Sequence, residues 1–264
     1  METLFAVEGL GERAMLVGLA STRFAVAFLL LPVFSPETVP ALVRNALFVA
    51  FGIATLAVQP LPEVAAWAAA DWLQRFGREA VLGVGFGVFI GSVLWAFEAA
   101  GEIVDTKVGA TMAQVMDPLS GHQTSLSGAL LSRLAMVVFM AGGGFLVMVG
   151  VLVQSFALWP LAEPGLVLRP EGLGLFEQAF GDFALLALLL AGPVLLLLYL
   201  IDAALGMVNR FAPQLNLISI SMSLKGVAAT LAWALLFVPL LDTMAARIEQ
   251  VLAEALPALR VWRP

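Results

Sequence analysis

The sequence predicts an all-α membrane protein of about six hydrophobic helices, and three observations carry that prediction. Hydrophobic residues make up 61% of the 264 and charged residues only 12%, with a mean hydropathy of +1.00. A soluble domain runs at about 45–50% apolar and about 25% charged, and a water-soluble fold of this composition would expose apolar patches large enough to aggregate. Six apolar segments recur along the chain, as lipid-embedded helices require. Prolines and glycines interrupt several of them.

The segments fall at residues 14–34, 45–58, 80–97, 134–153, 183–201 and 226–241. A straight span takes roughly 20 apolar residues. The fourth and fifth reach that length, whereas the second and sixth are short. A short segment tilts, thins the bilayer or packs inside an assembly, so the prediction is of six hydrophobic helices rather than six crossings. Arg23 and Pro32 interrupt the first segment. Pro32, Pro36 and Pro40 bracket the turn that follows, and Gln59-Pro60-Leu61-Pro62 ends the second, because proline breaks the helical hydrogen-bond ladder. Gly142, Gly143 and Gly144 interrupt the fourth, and Pro193 lies inside the fifth. Irregular backbone in an apolar setting persists only where protein or a water-filled cavity satisfies it. These breaks point to a helical assembly with a lumen.

In the third segment Gly83, Gly87 and Gly91 are spaced by four and share one helix face. Such a face admits close approach of another helix, from within the chain or from another subunit. Residues 242–259 form an amphipathic helix: Met244, Ile248, Val251, Leu252, Ala255, Leu256 and Leu259 repeat at helical spacing, with Arg247, Glu249 and Glu254 elsewhere on the wheel. It fits either a neighbouring helix or the membrane surface. No boundary splits the chain, so one domain over 1–264 is expected.

Charge and residue inventory exclude several function classes. The formal net charge is −6 and the only lysines are Lys107 and Lys225, against the basic face a nucleic-acid binder needs. There is no cysteine, hence no disulfide or thiolate site. Glu2, Glu8 and Glu12 precede the first arginine, so a cleavable signal is not expected. With six crossings, the termini and even-numbered loops would carry seven basic residues, Arg75 and Arg78 among them, against four in the odd-numbered loops, a slight preference for cytoplasmic termini.

Arg23 and Arg133 lie within or beside apolar helices. Charge at membrane depth costs about 2.5–3.5 kcal/mol on insertion scales and needs a partner or an aqueous cavity. The candidate acids are Glu98, Glu102, Asp105, Asp182 and Asp202. Glu98, Glu102 and Asp105 share one helix face. They are either a solvated helix end or an ion-pair set that holds the third helix against Arg23, Arg133 or another subunit.

Enzymatic readings find little support. The only histidine, His122, has Asp117, Ser120, Thr124 and Ser125 as sequence neighbours, but a nucleophilic triad needs three-dimensional register. A zinc protease needs paired histidines. No catalytic residue, cofactor or metal is expected.

Two polar stretches carry more specific information. EAAGEIVDTKVGATMAQVMDPLSGHQTS covers residues 98–125, and GMVNRFAPQLNLISISMSLK covers residues 206–225. With RFAVAFLLLPVFSPETVPALVRNALFVAFG near the start, they resemble the type III secretion export-gate family, called FliR in flagella and SctT (YscT, HrcT) in injectisomes. GGGFLVMVGVLVQSFALWPL at residues 142–161 is more similar to the injectisome branch, chiefly through QSFALWP. The likeness covers about residues 23–237.

The resemblance implies a non-enzymatic subunit of the bacterial inner membrane, set within the secretion-system basal body. Its helices would be tilted hairpins in a hetero-oligomeric helical assembly with SctR/FliP-type and SctS/FliQ-type subunits. That gate would work with SctU/FlhB-type and SctV/FlhA-type subunits to pass unfolded protein substrates. It also implies that residues 108–125 plug the lumen. The chemistry of that segment is compatible. Val108 opens it, and Gly109 and Gly121 permit bends. Met112 and Met116 are adaptable, and Pro118 after Asp117 favours a fixed turn. Thr111, Gln114, Ser120, Gln123, Thr124 and Ser125, beside His122, keep the loop wettable. In the second stretch Arg210, Gln214 and Asn216 offer hydrogen-bond donors and Pro213 breaks the helix before Lys225. That stretch fits a capped turn or a contact surface for neighbouring gate subunits. The alternative to the export gate is a stand-alone secondary transporter or channel, since broken helices and intramembrane arginines serve those too.

Overall fold

The computed structural model describes residues 10–35, 38–59, 62, 64, 67–109, 125–163, 170–211 and 217–259, with the side chains of 170–173, 175, 217–219 and 259 outside the description. Eight α-helices and no strand occur among the described residues. They are α1 (Leu10–Leu29), α2 (Ala41–Val58), α3 (Ala69–Val108), α4 (Leu126–Ala141), α5 (Gly144–Leu158), α6 (Pro170–Phe211), α7 (Leu217–Leu235) and α8 (Phe237–Leu259).

Helix ends follow the punctuation. A short 3₁₀ turn at Pro32–Phe34 closes α1, Pro40 caps α2, and α2 stops before Gln59, whose backbone is extended. The glycine run splits the fourth apolar segment into α4 and α5, with Gly143 at φ +74, a conformation that a side chain would strain. The sixth segment is likewise split, between α7 and α8. Pro239 has no N–H for the carbonyl of Leu235 and its ring crowds that carbonyl, so the two helices meet with a 61° bend. Pro193 does not end α6, which runs on for 42 residues.

The third segment extends well beyond its apolar stretch, to 40 residues. Its start is fixed by Asp71, whose carboxylate accepts from the backbone N–H of Ala68 at 2.9 Å, one half of a capping box. Among the described residues three helices are long and apolar enough to cross a membrane: Ala41–Val58, Ala69–Val108 and Phe176–Phe211. The number rises to five if the bent pairs α4–α5 and α7–α8 each make one span.

The chain packs as two compact units, interleaved in sequence. The first comprises Met1–Ser92, Gly143–Phe180 and Ile248–Pro264. Its core is aromatic: Phe28 lies 4.7 Å from Phe34, 5.9 Å from Phe48 and 5.8 Å from Phe145, centroid to centroid, and Phe24 lies 5.9 Å from Phe156. Glycines let α3 close on α1. A Cβ on Gly83 would stand 2.8 Å from Val26 Cβ, and one on Gly87 would stand 2.7 Å from Leu30 Cδ1 and 3.0 Å from the Ala27 carbonyl. The close partner of that glycine face is therefore a helix of the same chain, and Gly91 on the same face is buried.

The second unit comprises Val93–Gly142 and Gly181–Arg247. Buried rows at helical spacing hold it together: Leu94, Phe97, Ala100 and Val104 of α3, Leu131, Ala135 and Phe139 of α4, and Ala187, Ala191, Val194 and Leu198 of α6. The other face of α6 exposes Leu185, Leu188, Leu189, Leu196 and Leu200. A helix apolar all round is suited to lipid or to a partner rather than to water.

Candidate functional site

The polar segment begins where α3 ends and returns where α4 begins, so the ends of these helices form its two feet. Glu98, Glu102 and Asp105 lie on α3 and face the start of α4. Ser132 Oγ donates to Glu98 Oε2 at 3.0 Å. Between them Gly101 meets Gly128 so closely that a Cβ on Gly101 would collide with the Ser127–Gly128 backbone. Asp105 then receives three hydrogen bonds: Ser125 Oγ at 2.7 Å, the Ser127 backbone N–H at 2.8 Å and Ser127 Oγ at 2.6 Å. Ser125 is also the N-cap of α4, its hydroxyl accepting from the Gly128 N–H at 2.9 Å. At the other foot Gly109 takes φ +97 and its N–H bonds the carbonyls of Asp105 and Thr106 at 3.2 Å each, a glycine helix stop.

A second knot lies at the same end of α3. Asp202 of α6 pairs with Lys107 at 2.7 Å and Lys225 at 3.0 Å. Lys225 Nζ also donates to the Lys107 carbonyl at 3.3 Å, and Lys107 Nζ sits 4.0 Å from the centroid of Tyr199. Both lysines of the chain thus converge on one carboxylate, and Lys225 caps a carbonyl that the end of α3 leaves without a helical partner.

The first unit holds a different charge cluster. Arg23 is fully buried and donates to Glu79 through Nε at 2.7 Å and Nη2 at 3.0 Å, and to Ser155 Oγ at 2.6 Å, with its guanidinium 3.7 Å from the centroid of Phe156. Arg78 reaches the same carboxylate at 2.7 and 3.2 Å. The turn after α5 completes the cluster, because every carbonyl from Trp159 to Glu163 accepts from a guanidinium. Arg23 takes Trp159, Arg75 takes Leu161 and Ala162, and Arg78 takes Pro160 and Glu163. Three buried arginines against one glutamate leave an excess of positive charge, which these carbonyl dipoles offset.

The partner of Arg23 is thus Glu79 of its own unit, none of the five acids expected from the sequence. Asp105 and Glu98 pair with serines of α4 rather than with arginines, and Asp202 pairs with lysines. Arg133 and Arg210 are exposed, on α4 and in the last turn of α6. Val108 is half-buried beside Gly226. Thr111, Met112, Gln114, Met116, Asp117, Pro118, Ser120, Gly121, His122 and Gln123 lie outside the described residues, as do Gln214 and Asn216. Arg75 and Arg78, both counted as loop charges for orientation, are buried in α3 instead. The sequence places Arg75 and Glu79 four apart, the spacing of facing helix residues, but in the fold Glu79 pairs with Arg23 and Arg78 while Arg75 turns to the Leu161 and Ala162 carbonyls.

The class this fold defines is an all-helical membrane protein with a polar segment tied at both ends between apolar helices. Among the described residues no group of three or more His, Asp or Glu is placed to hold a metal ion. The chain belongs to the bacterial export proteins, family 1, whose family model matches residues 14–251. It is 33% identical over 213 residues to the Yop proteins translocation protein T of Yersinia pestis, covering 79% of this chain and 80% of that one. It is 34% identical over 236 residues to the surface presentation of antigens protein SpaR of Salmonella typhimurium, covering 88% and 86%. The flagellar biosynthetic protein FliR of Escherichia coli is 28% identical over 235 residues, covering 86% and 87%.

Proposed function

We propose that this chain is the FliR/SctT-type export-gate subunit of a type III protein secretion system, on the injectisome branch, and that residues 108–125 plug its conduit. Family membership supports the first part, and the higher identity to the translocation and SpaR proteins than to FliR supports the branch. The single observation that favours the plug is the pair of tied feet. A wet, methionine-bearing segment starts and returns within one hydrogen-bonded knot between apolar helices. The work asked of it is mechanical, not catalytic. It must seal against small ions and yield to a chain of arbitrary sequence, and the adaptable Met112 and Met116 among mostly uncharged polar residues suit both.

In this reading the whole of 1–264 acts as one subunit of the inner membrane, within the basal body. It assembles with SctR/FliP-type and SctS/FliQ-type subunits, and SctU/FlhB-type and SctV/FlhA-type subunits complete the machine. The exposed leucine face of α6 suits lipid or those partners. Unfolded proteins are the cargo.

The test removes residues 110–120 in cells that express the full gate, then measures small-ion leak and secretion. Leak rises if the segment is the plug; an unchanged leak in an assembled gate refutes that role. Recovery of a defined hetero-oligomer in mild detergent is expected, and a chain that transports alone in liposomes would mark a transporter instead.

A further inference from the structure

We infer that Asp105 is a positioning residue that sets the spacing of the two feet of segment 110–124, and that releasing it raises the resting permeability of the gate. The second half rests on the plug reading above; the first does not. Asp105 sits in the last turn of α3, where a negative charge opposes the negative end of the helix dipole. On α3 alone it is misplaced. Its carboxylate is instead aimed at the first turn of α4, whose N–H groups have no helical partner and whose dipole end is positive. All three donors it receives come from Ser125 and Ser127. What is unfavourable for one helix is favourable for the junction of the two.

Chain length does not force the feet together. Fifteen residues, 110–124, reach on the order of 50 Å when extended. The neighbouring contacts orient the clasp without replacing it. The Gly101–Gly128 approach brings the two backbones into contact a turn away, and Asp202 with its two lysines fixes the α3 foot to α6 and α7. Among the described residues, the Asp105 carboxylate makes the hydrogen bonds that join the α3 foot to Ser125 and Ser127. No acid–base or redox step is involved.

The chain has no cysteine, so Thr106→Cys and Leu126→Cys, both exposed positions beside the clasp, accept spin labels cleanly in the full chain within the purified gate. The Asp105→Ala variant should lengthen and broaden the distance between the labels. Asp105→Asn, which keeps one acceptor oxygen but not the charge, should lie between it and the parent. In cells Asp105→Ala should raise small-ion leak by roughly tenfold or more, the shift expected for losing charge-assisted hydrogen bonds. An unchanged distance distribution in Asp105→Ala overturns the clasp. A lengthened distance with unchanged leak, where removal of 110–120 does leak, overturns the link to permeability and leaves the plug standing. If removal of 110–120 does not leak, the plug reading fails and the label distances still decide the clasp. Should Asp105→Ala fail to accumulate, Ser127→Ala removes one of the three bonds, that of its hydroxyl, and a distribution as narrow as the parent's counts against the clasp.

Discussion

Glu79→Ala removes the carboxylate that Arg23 and Arg78 share. The side chains of Arg23 and Glu79 are 0% exposed and that of Arg78 is 1% exposed, so water cannot take over from the missing group. The carbonyls of residues 159–163 would continue to accept hydrogen bonds, but they carry no full charge. Leaving one partner of a buried ion pair alone costs about 3–5 kcal/mol, a large fraction of the about 5–15 kcal/mol that holds an ordinary domain folded. The assay is equilibrium unfolding of the detergent-purified chain, together with its amount in membranes. A drop of that size and loss of accumulated protein are expected. Glu79→Gln keeps the shape and one acceptor and should fall between. Joint replacement of Arg23 by Met and Glu79 by Leu should recover part of the loss, because apolar side chains remove the desolvation cost of the pair, while Arg78 still lacks its carboxylate. Glu79→Ala within about 1 kcal/mol of the parent would refute the argument, since that is the range of an exposed pair.

Three further substitutions probe other parts of the fold. Gly87→Leu should destabilise by about 1–3 kcal/mol through overpacking against α1, read from thermal unfolding in detergent; Gly77→Ala, where a Cβ meets nothing within 4 Å, should be neutral or slightly stabilising. Asp202→Ala should cost only about 0.2–1 kcal/mol in the same assay, because Asp202 and Lys107 are 31% and 27% exposed, and a loss as large as that of Glu79→Ala would contradict the solvent screening assumed.

The residues around Glu79 show where reading the chain alone stops. Arg75, Arg78 and Glu79 lie just before an apolar stretch, so by hydropathy they belong to a solvated connection. In the fold they are buried within α3, because each charge meets a guanidinium, a carboxylate or a carbonyl from elsewhere. Glu79 lies 56 residues from Arg23, and Trp159 lies 136 from it. Hydropathy sees only neighbours along the chain. Glycine and proline, by contrast, act on the backbone where they stand. The stop at Gln59 and the interruption at Gly142–Gly144 were therefore legible, and Pro239 carried the same signal for the α7–α8 break.

The sequence by itself determined that this is a helical membrane protein, where most of its helices are interrupted, and which polar stretches stand apart, since composition and local backbone chemistry act without knowledge of the fold. Only the tertiary structure decided which charges meet: Arg23 with Glu79, Asp105 with the serines of α4, and Asp202 with both lysines. An ion in an apolar medium takes the partner that packing brings within hydrogen-bond reach, and packing sums contacts over the whole chain.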